Sequence, residues 1–162
     1  MNNNFFKILP LVLLVTLVSC DKKQVFDEYK EFDGTWKKNK KVSFTFEQKD
    51  TVTAFNLFLN VRNNNEYPYE NLFLIVSLNQ PDGKVMVDTL EYKMAYDDGT
   101  LMGTGFSDIK ESKLWYKENY SFEKAGKYTL DVVHAVRQTG KVQGVSDLIG
   151  ITDLGLRIEK RK

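Results

Sequence analysis

The chain has 162 residues, a length that suits one domain with a single core. Its 23 lysines and arginines include Lys7 near the N-terminus, and the residues after position 19 balance 22 basic against 22 acidic groups, which argues against a broadly basic face for nucleic acid. At 42% hydrophobic and 13% aromatic residues, the composition can build a substantial core and excludes a disordered chain.

Residues 1–19 read as a secretory signal. Lys7 sits in a short polar start, and an apolar run follows from Ile8 to Val18, interrupted only by Pro10 and Thr16. That run is too short to cross a bilayer as a helix. It ends in Leu17, Val18, Ser19 and Cys20, the only cysteine of the chain, and this spacing resembles the bacterial lipobox. In that reading a peptidase cuts between Ser19 and Cys20, the sulfur carries diacylglycerol, and the new amine takes a fatty acid such as palmitate. Each buried methylene contributes about 0.8 kcal/mol and lasting attachment needs two or more lipid signals, so several acyl chains on Cys20 make a membrane anchor. An ordinary signal followed by a free thiol would instead leave a reactive group exposed in an oxidising compartment. A lone cysteine also rules out an intrachain disulfide, so the exported part must be held by its own core. Asp21 follows the anchor. Acidic residues there retain lipoproteins of enteric bacteria in the inner membrane, but the rule differs among lineages, and the outer membrane is the expected destination.

Residues 20–24 then form the acylated cysteine and a short tether, and residues 25–162 a single domain. From Val25 to Phe32 the pattern fits both a helical stripe and a strand, and a short edge strand is expected. Val42, Phe44 and Phe46, then Phe55, Leu57, Leu59 and Val61, alternate with polar or smaller residues, as strands with one face on a core do. "LFLIVSL", Leu72 to Leu78, is apolar on both faces and belongs in a central or covered strand. Met86, Leu90, Tyr92, Met94 and Tyr96 share one face, with Asp88 an exception that calls for an edge or a partner. Leu114, Tyr116, Tyr120 and Phe122 continue across the turn "EKAGK" into Tyr128, Leu130, Val132, His134 and Val136, a hairpin with a Gly-containing loop. In the last strand the apolar parity shifts from Ile149 and Ile151 to Leu154, Leu156 and Ile158, which predicts a β-bulge near Thr152 and Asp153. Turn-forming Asn, Pro, Asp and Gly in "RNNNEYPYE", "NQPDGK" and "YDDGT" separate the runs. Seven or eight strands without a convincing helix give an all-β fold, an antiparallel β-sandwich of Ig-like or jelly-roll-like type.

The sequence offers few candidates for chemistry. His134 is the sole histidine, so triads and multi-histidine metal sites are excluded, and its strand parity marks it as a satisfied structural residue. No GxSxG or HExxH motif is present, and nothing selects a pair of carboxylates for glycoside hydrolysis. Asp97 and Asp98 lack the alternating oxygen ligands of an EF-hand loop. "GTGF", Gly103 to Phe106, lacks the lysine of a phosphate loop and reads as a tight turn. Lys37, Lys38, Lys40 and Lys41 cluster beside Trp36, either as a contact for anionic head groups or glycan phosphates or as a solvated loop with Trp36 packed beneath it. Trp36, Tyr67, Tyr69 and Trp115 are candidate rings for stacking on a sugar, against the alternative of core and rim packing. Trp36, Lys37, Lys38 and Trp115 are therefore the candidate surface-binding residues.

"LVSCDKK", the passage from "DGTWKK" to "VSFTFE", "YDDGTLMGTGFSDIKES", "YSFEKAGKYTLDVVHAVR" and "GITDLGLRIEK" together resemble the gliding motility lipoprotein GldH family over essentially the whole chain. None of these is a catalytic signature. The resemblance implies a lipid-anchored, non-enzymatic part of the cell envelope that is needed for movement over surfaces and tied to machinery associated with type IX secretion. Its partners would be the membrane, through Cys20, and other envelope motility or secretion proteins, with no cofactor and no nucleic acid. Cys20 alone is carried over as a functional residue. The expectation is a scaffold that docks a partner by a sheet edge or loop face. A carbohydrate-binding lipoprotein is the alternative, and a lipid-anchored hydrolase a weaker one.

Overall fold

Apolar residues at every second position give strands with one wet and one dry face, and the chain satisfies all of them by stacking two antiparallel sheets. The computed structural model describes residues 23–105, 107–137 and 143–161; the leader, Ser19, Cys20 and Phe106 lie outside them. The strands are β1 (Gln24–Glu31), β2 (Thr35–Lys37), β3 (Val42–Gln48), β4 (Ala54–Asn63), β5 (Asn71–Asn79), β6 (Val85–Lys93), β7 (Lys110–Ser121), β8 (Gly126–His134), β9 (Asp147–Ile149) and β10 (Ile151–Lys160). Among the described residues there is no helix.

One sheet has the order β1-β10-β4-β7, the other β3-β8-β5-β6, and β2 pairs with β9 in a short ribbon. Without that ribbon, the eight long strands run 1-8-3-6 in one sheet and 2-7-4-5 in the other. This is the jelly-roll arrangement, which decides between the two sandwich types expected. Seven or eight strands were expected; the β2–β9 ribbon raises the total to ten among the described residues. β1 is an edge strand, as expected, and β5 lies between β8 and β6.

The core forms where inner faces meet. Leu72, Leu74, Val76 and Leu78 of β5 are fully buried, as are Phe55, Leu57, Leu59 and Val61 of β4 and Leu154 and Leu156 of β10. Burial of each such side chain stabilises the fold by about 1.5–3 kcal/mol. Near the chain termini, Phe122 packs edge-on to Phe46, Phe55 and Tyr128, with centroids 5.8, 5.5 and 4.9 Å away.

The bulge in the last strand is present. Ile151 pairs with Asn63 and Asp153 with Arg62, so Thr152 is the extra residue that moves the apolar parity to Leu154 and beyond. Ile149, placed with the apolar face in the sequence reading, is 45% exposed instead; it lies in β9, where Leu148 is the buried residue.

Strand directions give the sandwich two unlike ends. The described chain starts at one end, and β3, β5, β7 and β10 finish there; the short turns 49–53, 80–84 and 122–125 join strands at this end. The opposite end carries the longer connections 32–41, 64–70, 94–109 and 135–150. Strands of nine residues separate the two ends by about 30 Å.

Candidate functional site

At the long-loop end, Gly34 adopts φ +67°, reversing the chain so that Trp36 enters β2 opposite Leu148. Trp36 is fully buried. Its ring stacks on Phe32 at 4.9 Å and meets His134 edge-on at 5.3 Å, and its Nε1 donates to the Lys40 carbonyl at 2.8 Å. This corrects the placement of Trp36 among surface-binding residues, because a ring with both faces packed has none to offer a sugar. Lys37 and Lys38 remain exposed on the turn above it. Lys41 pairs with Asp131 at 2.9 Å, and Lys40 lies 5.5 Å from the Phe32 ring centroid.

Tyr67 and Tyr69 do not form a platform either. Tyr67 is buried, its hydroxyl donates to the Asn71 carbonyl at 2.9 Å, and burial pushes its pKa upward. Tyr69 meets it edge-on at 5.8 Å. Trp115 differs from the other three rings. It is 51% exposed on the outer face of the first sheet, opposite Phe58 of β4, with centroids 4.4 Å apart. Lys113 covers the same Phe58 ring at 4.0 Å and pairs with Glu159 at 2.7 Å. The structure thus separates Trp115 from Trp36 and the lysine turn, placing them on different surfaces.

His134 is buried, as its parity implied, but it is not satisfied: neither ring nitrogen has a hydrogen-bond partner. Burial lowers its pKa, and the approach of the Trp36 backbone offsets only part of this. Asp97 pairs with Lys93 at 2.5 Å, and Asp98 accepts from the Thr100 amide at 2.9 Å. Among the described residues no three acidic, His or Cys side chains converge as a metal site would require. Gly103, at φ +104°, stands where a Cβ would come within 2.7 Å of the Glu111 carbonyl, and Thr104 beside it bridges to Glu111.

One surface was missed by the sequence reading. On the outer face of the second sheet, Ile75 of β5 lies between Thr89 of β6 and Val133 of β8, and Ser77 pairs with Val87. Phe73, whose carbonyl accepts from Ala135 at 2.8 Å, continues the same face. Val85 and Val87 are 51% and 62% exposed, on an edge strand. The signal was the odd-numbered parity of Phe73, Ile75, Val85 and Val87, opposite to the buried even positions.

These features define an all-β jelly roll whose candidate residues lie on outer faces and at one end. Residues 24–158 match the family described as GldH lipoprotein, and the chain belongs to that family. It is 54% identical over 151 residues to the gliding motility lipoprotein GldH of Flavobacterium johnsoniae (93% of this chain, 94% of the relative). It is 46% identical over 160 residues to the gliding motility lipoprotein GldH homolog of Christiangramia forsetii (99% and 98%). Among solved structures, the VP2 subviral particle of infectious bursal disease virus aligns with TM-score 0.43 and 16% identity over 86% of this chain. The chain spans about a third of that capsid protein (33%), and the likeness is too loose to bear on function.

Proposed function

We propose that this protein is a lipid-anchored, non-enzymatic component of the bacterial gliding motility machinery associated with type IX secretion, acting as a scaffold or assembly factor. Acyl chains on Cys20, after cleavage at Ser19, tie the jelly roll to the cell outer membrane. Membership of the GldH family supports the motility role. The observation that carries the scaffold role is the apolar outer face of Phe73, Ile75, Val85 and Val87. A face of this kind beside an edge strand gains by covering, and the unpaired backbone of β6 offers a partner a strand to extend.

A photo-crosslinker at position 85, activated in gliding cells, should join the protein to another component of the motility or secretion apparatus. Ile75→Glu and Val87→Glu should abolish the adduct and slow gliding while the protein is still made and folded. A deletion strain that glides and secretes adhesins normally would sink the proposal. Mass spectrometry of the processed chain tests the anchor separately, through acyl chains on Cys20.

The exposed Trp115–Phe58 pair favours a second reading, a carbohydrate-binding envelope lipoprotein. Binding on a glycan array that is lost in Trp115→Ala would support it. Turnover of a glycoside panel would support a lipid-anchored hydrolase.

A further inference from the structure

Pairing of β1 with β10 brings the two ends of the described chain together. The Lys160 amide donates to the Lys23 carbonyl at 2.8 Å, and the Arg161 amide to Ala54 at 2.9 Å. Lys22 and Lys162 adjoin these residues in sequence. Beside them the turn 49–53 presents Val52, 90% exposed, at its tip. Asp50 holds that turn: its carboxylate accepts from the Val52 and Thr53 amides at 3.0 and 2.9 Å and from the Thr53 hydroxyl at 2.6 Å. The tip is therefore a fixed apolar projection.

The charges are sorted along the molecule. At this end the described residues include six cations (Lys23, Lys49, Lys84, Lys124, Lys160, Arg161) against three carboxylates (Asp50, Asp82, Glu123). Each carboxylate already lies near one lysine: Asp82 with Lys124 at 2.8 Å, and Asp50 and Glu123 with Lys160 and Lys84 at 4.0 Å each. On the same bounds, which take in the terminal strand residues Glu31, Lys93 and Lys110 as they do Lys160, the opposite end holds eight carboxylates against seven cations among the described residues. The excess of cations is thus concentrated where the chain termini meet, while the far end is nearly balanced.

We infer that the end carrying Lys23, Lys160, Arg161 and Val52 is a membrane-contacting face that rests on the anionic head groups of the leaflet holding the anchor. This rests on the anchoring of Cys20 proposed above. Only three residues separate Cys20 from Gln24 at the start of β1, and the four backbone steps between them span about 14 Å when fully extended, so the start of β1 cannot leave the bilayer surface by more than that. Anionic lipid attracts nearby lysines and arginines, and Val52 gains by entering the head-group layer. In this orientation the Lys37–Lys41 turn stands about 30 Å from that leaflet, at the opposite end. The contact stands the sandwich upright, with its long loops and the apolar sheet face turned toward other envelope proteins.

Cys20 supplies the only thiol, so Val52→Cys in the acylated protein gives a unique site for an environment-sensitive fluorophore. In vesicles of phosphatidylcholine with phosphatidylglycerol the label should shift to the blue and resist an aqueous quencher. In phosphatidylcholine alone, or in high salt, it should stay in water. Lys160→Glu with Arg161→Glu should remove the shielding, each reversal weakening the contact by at least about fivefold. A label at Asn65→Cys, on the opposite end, should be quenched under all conditions. A position-52 label that is equally quenched with and without phosphatidylglycerol overturns the inference. If the processed protein shows no acyl chains by mass, the anchoring reading fails by itself. Salt-sensitive sedimentation of that unacylated chain with phosphatidylglycerol vesicles would then uphold the basic face, and its absence would reject it.

Discussion

The Tyr116 hydroxyl lies 3.0 Å from Asp88, joining edge strands β7 and β6 across the open side of the sandwich. The bulge in β7 makes this possible. Leu57 pairs with Lys117 and Phe58 with Trp115, so Tyr116 is the extra residue, and the neighbours Tyr116 and Lys117 both reach Asp88, the latter at 2.9 Å. Burial, with the adjacent Asp88 charge, drives the Tyr116 pKa up and keeps the phenol a donor. A carboxylate on the inward face of an edge strand, anomalous in the sequence, is here a clasp between the two sheets. Asp88→Leu leaves the Tyr116 hydroxyl and the Lys117 ammonium without their acceptor and should cost about 1–3 kcal/mol, with Asp88→Asn losing less. Urea denaturation checks this, and pairing Asp88→Leu with Tyr116→Phe should recover part of the loss.

The two tryptophans should separate cleanly. Trp36→Ala empties a fully buried site between Phe32 and His134 and should cost about 3–5 kcal/mol. Trp115→Ala removes a half-exposed ring and should cost about 1 kcal/mol, chiefly its contact with Phe58. Thermal melts of both variants check the difference. Lost glycan binding in Trp36→Ala would report unfolding, so Trp115 is the informative position.

Gly150 carries the connection between β9 and β10. Its φ is +81°, and a Cβ there would stand 2.2 Å from the Tyr67 amide nitrogen. Its carbonyl also accepts from the Asn64 amide at 2.8 Å. Gly150→Ala combines a disfavoured backbone region with a collision against main chain that cannot yield, and should cost at least about 3 kcal/mol. Denaturant titration checks this. Gly34→Ala, with φ +67° but open space around the added methyl, should cost about 1 kcal/mol.

What the sequence disclosed was the inner faces, because burial leaves an alternation that can be counted. Phe44, Leu59 and Leu130 follow that alternation, and the parity jump after Ile151 points to a bulge near Thr152 and Asp153, where the register shift falls. Which sheet each strand joins was not legible, since period two says that a strand has a partner but not which one. Trp36 misled because four lysines follow within five residues, and local polarity conceals a ring that turns inward. The outer face of the first sheet also gave no signal. Phe58, Asn60 and Asp153 are buried there beneath side chains brought in from other strands: Tyr29 donates nothing to Asn60 but accepts from its amide at 2.8 Å, and Arg62 lies over the Tyr29 ring at 4.3 Å. Cover supplied by residues distant in sequence leaves no local pattern.

His134 should give the fold a pH dependence of predictable sign. Its folded pKa lies below the ordinary 6.5, chiefly because burial opposes the charged ring. On unfolding the ring regains its ordinary affinity for protons, so below about pH 6.5 the unfolded chain takes up a proton that the folded chain refuses. The full stability is present above that value and is lost as pH falls toward the depressed folded pKa, at a slope of at most about 1.4 kcal/mol per pH unit. Asp131 and Glu159 have lowered pKa values, their buried positions being outweighed by Ser43, Lys41 and Asn79 around the first and by Lys113 and Arg157 around the second. Their contributions are present above the ordinary carboxylate range of about 4 and disappear only below it, outside the histidine window. With a single histidine in the chain, the slope between about pH 7 and 5 belongs to His134. His134→Leu removes two unpartnered buried nitrogens, should match or exceed the parent at neutral pH, and should flatten the slope. Urea midpoints across that window decide the matter, because a variant that retains the parental slope would mean the ring is protonated equally in both states.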